Sequence, residues 1–154
     1  MTAVVLREVR ESDLEAHYEQ QADLESIAMA AVPARNRADH DAHWRQVLAD
    51  DACLVRTIDV DGDVAGHVCS FLRDGREPRE VGYWIARSHW GRGVASAALA
   101  AFLEEDETRR PLIAGVAVHN PGSRRVLEKC GFTLTETATD PEGDGVDEWR
   151  FRLD

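Results

Sequence analysis

The sequence predicts a mixed α/β fold in which helices cover a sheet, and three observations carry that reading. Residues 54–86 alternate apolar and polar side chains in short runs broken by turn residues, the period of half-buried strands. Alanine- and leucine-rich stretches with recognisable caps lie on either side of those runs, as helices between strands do. A chain of 154 residues that is 44% apolar can bury one core, so residues 1–154 are expected to form a single domain.

The elements follow in order. Val4, Val5 and Leu6 make a short first strand. Ser12-Asp13-Leu14-Glu15 has capping-box spacing, so Ser12 is expected to cap a helix reaching about Asp23, with Glu15 reaching back. Pro33 interrupts the next apolar patch. A second helix fits Ala38 to Leu48, with Trp44, Val47 and Leu48 on one face. Leu54, Arg56, Ile58 and Val60 then alternate against Val55, Thr57 and Asp59. Asp61-Gly62 suits the positive backbone angles of a hairpin turn, and Val64 to Leu72 is the return strand. Arg73 to Arg79 reads as a polar loop and Glu80 to Ala86 as a fourth strand. A glycine-rich turn precedes a helix from Val94 to Glu105. Pro111 to Val118 has the look of a buried central strand. Asn120 caps a helix with Pro121 at its first position, and Gly131 stops it after Cys130. Phe132 to Ala138 and Val146 to Leu153 close the chain as a hairpin, giving the order β-α-α-β-β-β-α-β-α-β-β.

Composition narrows the function. The net charge of −11 repels phosphate backbones, so nucleic acid is not an expected partner. No apolar run is long enough to span a bilayer and the N-terminus lacks the pattern of a secretion signal, so no membrane partner and a cytoplasmic location are expected. Cys53, Cys69 and Cys130 form no CxxC pair and read as small buried hydrophobes. Lys129 is the one lysine among 18 basic residues, so arginine abundance alone marks no site.

The strongest chemical signal is the stretch from Glu80 to Ser96, where a strand enters a turn with Gly91 and Gly93 and the turn opens a helix. Helix N-termini present unpaired N–H groups and a positive dipole end, and glycine lets the backbone approach an anion closely. A plain tight turn would read the same way. The nucleotide-loop pattern GxxxxGK[ST] is absent, and Ser96 stands where a dinucleotide fingerprint needs its third glycine.

A second string runs through His119-Asn120-Pro121-Gly122-Ser123 to Val126-Leu127-Glu128-Lys129-Cys130-Gly131-Phe132. Together with Trp90-Gly91-Arg92-Gly93-Val94-Ala95, it resembles the GNAT superfamily of acetyl-CoA-dependent N-acetyltransferases, in its ribosomal-protein alanine acetyltransferase-like branch. The matching letters lie between Glu80 and Phe132, and the element order agrees over the whole chain. The resemblance implies a mostly antiparallel sheet, splayed between the fourth and fifth strands, with helices on both faces. It implies acetyl-CoA as co-substrate, with no metal. The pyrophosphate would sit on backbone amides of Gly91, Arg92, Gly93, Val94, Ala95 and Ser96, and the pantetheine arm would pair with Tyr83, Trp84 and Ile85. Gly82 suits a bulge that starts the splay. Asn120 would contact the arm as well as cap its helix.

Three positions depart from that family's pattern. Leu127 stands where many members carry a proton-donating tyrosine, Trp90 heads the loop, and Gly115 replaces a fifth-strand glutamate of some relatives. The acid and base are therefore argued from this chain. Ser123, or water, would return a proton to the leaving sulfur, though a helix-start serine bonded to backbone fits equally. Glu80 is the chosen base, since side-chain alternation gives it a face in common with Gly82 and Trp84; its other reading is an ion pair with Arg79 or Arg87. His119 is the competitor, because an imidazole titrates near neutrality. A backbone N–H near Trp84 or Ile85 would hold the developing oxyanion.

His40 and His43 lack a third ligand and read as solvated surface. The acidic runs at Asp59, Asp61 and Asp63 and at Asp140, Glu142 and Asp144 fail the calcium-loop pattern and read as polar hairpin loops. The expected partner is an amine, on a protein N-terminus or a small molecule, and a homodimer stays open. The alternative is a non-catalytic acyl-CoA-binding sensor or partner module of the same fold.

Overall fold

The structure, a computed structural model, describes residues 3–30, 34–138 and 147–154. One sheet of seven strands organises them, in the order β1-β2-β3-β4-β5-β7-β6. Strands β1 (Val4–Arg7), β2 (Leu54–Val60), β3 (Asp63–Arg73) and β4 (Arg76–Ile85) are antiparallel neighbours. β4 then meets β5 (Leu112–Ala117) in parallel, and β7 (Glu148–Leu153) lies between β5 and β6 (Thr133–Ala138). Helices α1 (Leu14–Ala22), α2 (Leu24–Ala30) and α3 (Arg37–Ala49) separate β1 from β2. Helix α4 (Val94–Ala101) continues into a π turn over Phe102–Asp106, and α5 (Pro121–Lys129) follows β5.

Alternation along the strands sorts side chains to two faces. Val68, Val81, Ile85, Leu112, Ala114 and Val116 meet Leu99, Phe102 and Leu127 in the core beneath α4 and α5. The opposite face of β2–β4 lies under α1 and α3. There His17 stacks on Trp44 with ring centroids 4.7 Å apart, and His67 meets both rings edge-on.

Several expected boundaries move, each for a local reason. Arg73–Arg79 is no loop: Asp74 and Gly75 have φ of 53° and 69°, a two-residue turn, and the strands run through to it. The register slips opposite Pro78, which has no N–H to give a ladder. Asp61-Gly62 forms the other turn as expected, with Asp59 Oδ1 accepting from Gly62 N at 2.8 Å. Ser12 does not cap α1. The carboxylate of Asp13 accepts from Arg10 N (2.7 Å), while Glu15 pairs with Arg37 at the surface. A third helix, α2, was not expected; its start is set by Asp23, whose carboxylate accepts from Ser26 N and Oγ. On α3 the buried face is His40 and Trp44, and Leu48 is exposed. His40 is therefore not solvated: its Nε2 lies 3.1 Å from Gln21 Oε1, which also accepts from Trp44 Nε1. The three cysteines are free thiols, only partly buried. The helix after Val94 leaves α geometry at Phe102, where the π turn ends on the Glu107 N–H donating to the Phe102 carbonyl. Pro33, Val146 and the acidic run at Asp140, Glu142 and Asp144 lie outside the described residues.

Under α1 a buried polar chain links Arg7, Asp13, Thr57 and His17. Arg7 donates twice to Asp13 (2.7 and 2.9 Å), and Thr57 donates to Asp13 at 3.0 Å. Thr57 has then spent its one proton, so it accepts from His17 Nε2–H at 3.1 Å. Burial would raise the Asp13 carboxyl, but Arg7, Arg10 and Thr57 together hold it at about 2. Burial lowers the His17 imidazole to about 4, so it is neutral in the folded protein. The unfolded chain takes up that proton below about 6.5, so stability is full above pH 6.5 and falls as pH drops toward 4. The expected loss from His17 is about 3 kcal/mol, and Asp13 adds a second decline between 3.8 and about 2. Urea unfolding followed across that range measures it. A constant midpoint from pH 6.5 to pH 4 would contradict the buried neutral imidazole.

Candidate active site

The glycine turn after β4 has the geometry of an anion cradle. Gly91 and Gly93 both sit at φ 75°, and Gly93 is the left-handed N-cap of α4. Among the described residues no side chain caps that helix, and no hydrogen bond takes up the N–H groups of Val94, Ala95 and Ser96. A Cβ built on either glycine meets no atom within 4 Å. Gly91, Arg92 and Gly93 are exposed, Val94 is buried and anchors the helix, and Ala95 and Ser96 are half-buried. An open, uncapped, glycine-lined helix start fits the pyrophosphate of coenzyme A. Trp90, at the head of the loop, donates from Nε1 to the Ile85 carbonyl at 2.9 Å and ties the loop to the end of β4. That contact was not foreseen from the sequence.

Beside the loop the sheet opens. β4 and β5 pair only at Arg79↔Leu112 and Glu80↔Ile113. Among the described residues, the β5-facing edge of β4 has no strand partner from Val81 to Ile85. No bulge occurs at Gly82: pairing with β3 runs unbroken from Gly66↔Ile85 to Phe71↔Glu80. The splay needs only that β5 turn away, and the register slip it was expected to need lies instead at Pro78.

The groups of the opening come from β4 and α5. Tyr83 points toward α5, where its hydroxyl meets Ser123 Oγ and lies 3.3 Å from the Ser123 carbonyl. Burial pushes the Tyr83 phenol up to about 12, so it keeps its proton near neutrality. Asn120 Oδ1 accepts from Ser123 N at 3.2 Å, the expected capping bond, which leaves its amide N–H₂ for another acceptor. Leu127 is buried in the core. The sequence marked Tyr83 for its backbone; that its side chain reaches Ser123, 40 residues away, was not visible there. Trp84 turns to the other face and donates from Nε1 to the Gln20 carbonyl on α1 (3.2 Å). At the far end of α5, Cys130 Sγ lies 3.8 Å from the Ser96 carbonyl. The nine residues of α5, about 14 Å, thus run from the Tyr83–Ser123 pair to the loop.

The two candidate bases lie apart from that pair. Glu80 is gripped through both oxygens by Arg73 (2.7 and 2.9 Å), not by Arg79 or Arg87. Arg79 reaches the Ala52 carbonyl and Glu107, and Arg87 pairs with Asp23 and Glu25. His119 is exposed, and its Nε2 donates to the Ala28 carbonyl at 2.9 Å, fastening α2 to the turn before α5. Among the described residues no group of three or more His, Cys, Asp or Glu side chains is placed to hold a metal, and no helix is long and apolar enough to cross a membrane.

Residues 3–133 match the family described as acetyltransferase (GNAT) domain. YdaF of Bacillus subtilis, a ribosomal N-acetyltransferase by name, is 33% identical over 102 residues, 63% of this chain and 55% of its own length. The ribosomal-protein-serine acetyltransferase of Escherichia coli is 41% identical over 59 residues, 36% of this chain and 32% of its own. The match thus spans about half the length of these relatives or less. Among solved structures, the spermidine N-acetyltransferase of Vibrio cholerae, in complex with CoA and spermine, superposes with a TM-score of 0.84 at 18% identity, over 97% of this chain and 94% of that one. An aminoglycoside acetyltransferase in complex with coenzyme A superposes with a TM-score of 0.80 at 20% identity, over 98% and 94%. At such identities these two likenesses show the shared fold.

Proposed function

The chain belongs to the GNAT acetyltransferase family, and from that premise we propose that it is an acetyl-CoA-dependent N-acetyltransferase acting on a primary amine, of a protein N-terminus or a small molecule. The observation that carries the proposal is the junction of an unpaired strand edge, Val81–Ile85, with an uncapped glycine loop at its end. Acetyl-CoA supplies the activated acetyl thioester. Gly91 to Ser96 hold its pyrophosphate, and the free edge of β4 at Tyr83, Trp84 and Ile85 aligns its arm. The Ile85 carbonyl is engaged by Trp90, so that edge offers its other backbone groups. Asn120 adds a donor, and a backbone N–H near Trp84 or Ile85 stabilises charge on the acetyl oxygen. Confining amine and thioester to one groove supplies much of the rate.

Ser123 returns the proton to sulfur, and the touching Tyr83 hydroxyl reloads it. This pair supports the catalytic reading over the non-catalytic module: Leu127 carries no hydroxyl, and Tyr83 brings a phenol from β4 to Ser123. For removing the amine's proton, Glu80 and His119 are the groups the sequence nominates. The relatives act on ribosomal proteins by name, and the structural neighbours were solved with a polyamine or are named for aminoglycosides, so both acceptor classes belong in the assay.

Thiol release from acetyl-CoA, measured with spermine, kanamycin, free amino acids and an N-terminal peptide, tests the proposal. At least one amine should raise release well above hydrolysis. With it, Ser123→Ala and Tyr83→Phe should each lower turnover about 10–100-fold at unchanged acetyl-CoA affinity, and the double variant should be little worse than either. No amine-dependent release would refute an acetyltransferase. Full turnover in both single variants would leave water as the donor.

A further inference from the structure

We infer that Glu148 is the carboxylate that receives the acceptor's ammonium group and takes its proton, an assignment that rests on the acetyltransferase reading. Gly115 lies two residues beyond Ile113, the last β5 residue paired with β4, and so borders the open side of the sheet. On β7, Glu148 pairs with Ala117 and Arg150 with Gly115, so their side chains share the face of Ile113 and Gly115. That face is opposite the one buried by Leu112, Ala114 and Val116. Glu148 leans along the strand until its carboxylate rests on Gly115. A Cβ added at Gly115 would lie 2.8 Å from Glu148 Cδ and would collide with Oε1. Gly115 therefore makes room for a carboxylate delivered from the neighbouring strand. The side chain that residue 115 lacks is replaced, at the rim of the splay, by one from β7.

The charges around it favour a cation. Arg73, gripped by Glu80, also feels the charge of Glu148. Arg150 is shared between Glu136 at 3.2 Å and Glu148 at 3.7 Å. Glu80, Glu136 and Glu148 thus face Arg73 and Arg150, and Arg152, which lies opposite Ile113 and shares its face, is paired with Asp154, leaving one surplus negative charge in the group. Glu80 has both oxygens held by Arg73 and would have to release them to accept a proton. Glu148 is held by a single longer contact among the described residues, and its side chain is 43% exposed, so an entering ammonium can reach it.

The step balances as follows. The ammonium gives one proton to Glu148, directly or through water, which frees the nitrogen lone pair. The nitrogen forms the C–N bond as the C–S bond breaks. The thiolate takes a proton from the Ser123–Tyr83 pair, the nitrogen sheds its remaining surplus proton to water, Glu148 passes its proton to water, and the pair is reloaded from water. Ammonium and thioester become amide, thiol and one released proton.

The test uses the full chain and the amine of highest turnover. Glu148→Gln should lower kcat/KM about 100-fold, remove the acidic limb of the pH–rate profile and weaken calorimetric binding of that amine, with acetyl-CoA affinity unchanged. Glu80→Gln and His119→Ala should keep the limb. Glu148→Ala combined with Gly115→Glu, which places a carboxylate where the first was, should recover at least tenfold of the loss. Retention of rate and limb by Glu148→Gln would overturn the assignment, and so would loss of the limb in Glu80→Gln or His119→Ala. Either result leaves the acetyltransferase reading standing; a wild type that turns over no amine overturns both.

Discussion

Replacing Gly93 by valine should lower acetyl-CoA affinity about 10–100-fold while leaving the protein folded. Gly93 is held at φ 75°, where a β-branched side chain costs about 1–3 kcal/mol, and each 1.4 kcal/mol is tenfold in affinity. The loop has two responses. It can keep its angle and push an isopropyl group into the space from which α4 presents its first N–H groups, or it can relax and lose the cradle. Because a Cβ there meets no atom within 4 Å, the fold itself raises no steric objection. Gly75 supplies the control, with φ 69° and the same open surroundings at the tip of the β3–β4 hairpin, at the other end of β4 from the loop. Gly75→Val should cost comparable stability and no affinity. Isothermal calorimetry on the two variants decides: equal affinities for wild type and Gly93→Val would remove the loop from the binding site.

Replacing Glu107 by alanine should cost about 3–5 kcal/mol, a drop in Tm of about 10 °C for a chain of this size. Glu107 is wholly buried at the end of the π turn. Its carboxylate accepts from Ser70 Oγ (3.0 Å) and from Arg109 Nε and Nη2 (3.0 and 2.8 Å), with Arg79 Nε at 3.9 Å. Arg79 is itself buried, and truncation would strand its charge without a counter-ion. Arg79 is also one of the two β4 residues that pair with β5, so the ion cluster sits at the root of the splay. Glu107→Gln, which keeps the shape and part of the hydrogen bonding, should cost less than Glu107→Ala. Thermal melts within 2 °C of wild type for Glu107→Ala would mean that Arg79 finds another partner.

Features written in adjacent residues were legible before the structure. Asn120, Pro121 and Gly131 bound α5 as expected, and Gly131 closes it with the Phe132 N–H bonded to Leu127 O and the Gly131 N–H to Glu128 O. The Asp61-Gly62 turn and the Gly91–Gly93 loop are equally local. Asp74-Gly75 carried the same hairpin signal, and its charged neighbours and Pro78 obscured it. Contacts between distant residues decide the rest. Asp13 displaces Ser12 at the start of α1 because Arg7 and Thr57 converge on it. Tyr83 finds Ser123, Glu80 finds Arg73 across a hairpin, and Glu148 covers Gly115 from another strand. No periodicity or spacing encodes those meetings, so the glycine turn at the start of α4 could be read from the sequence while the partners of Tyr83, Glu80 and Gly115 required the fold.

We propose that acetyl-CoA lies along the open edge of β4 with its pyrophosphate on the start of α4. Titration of isotope-labelled protein with acetyl-CoA, followed by backbone amide resonances, tests it most directly. Saturable shifts are expected at Gly91 to Ser96 and Gly82 to Ile85, with smaller changes near Asn120 and Ser123. Saturable shifts located elsewhere, with the loop amides unmoved, would contradict it.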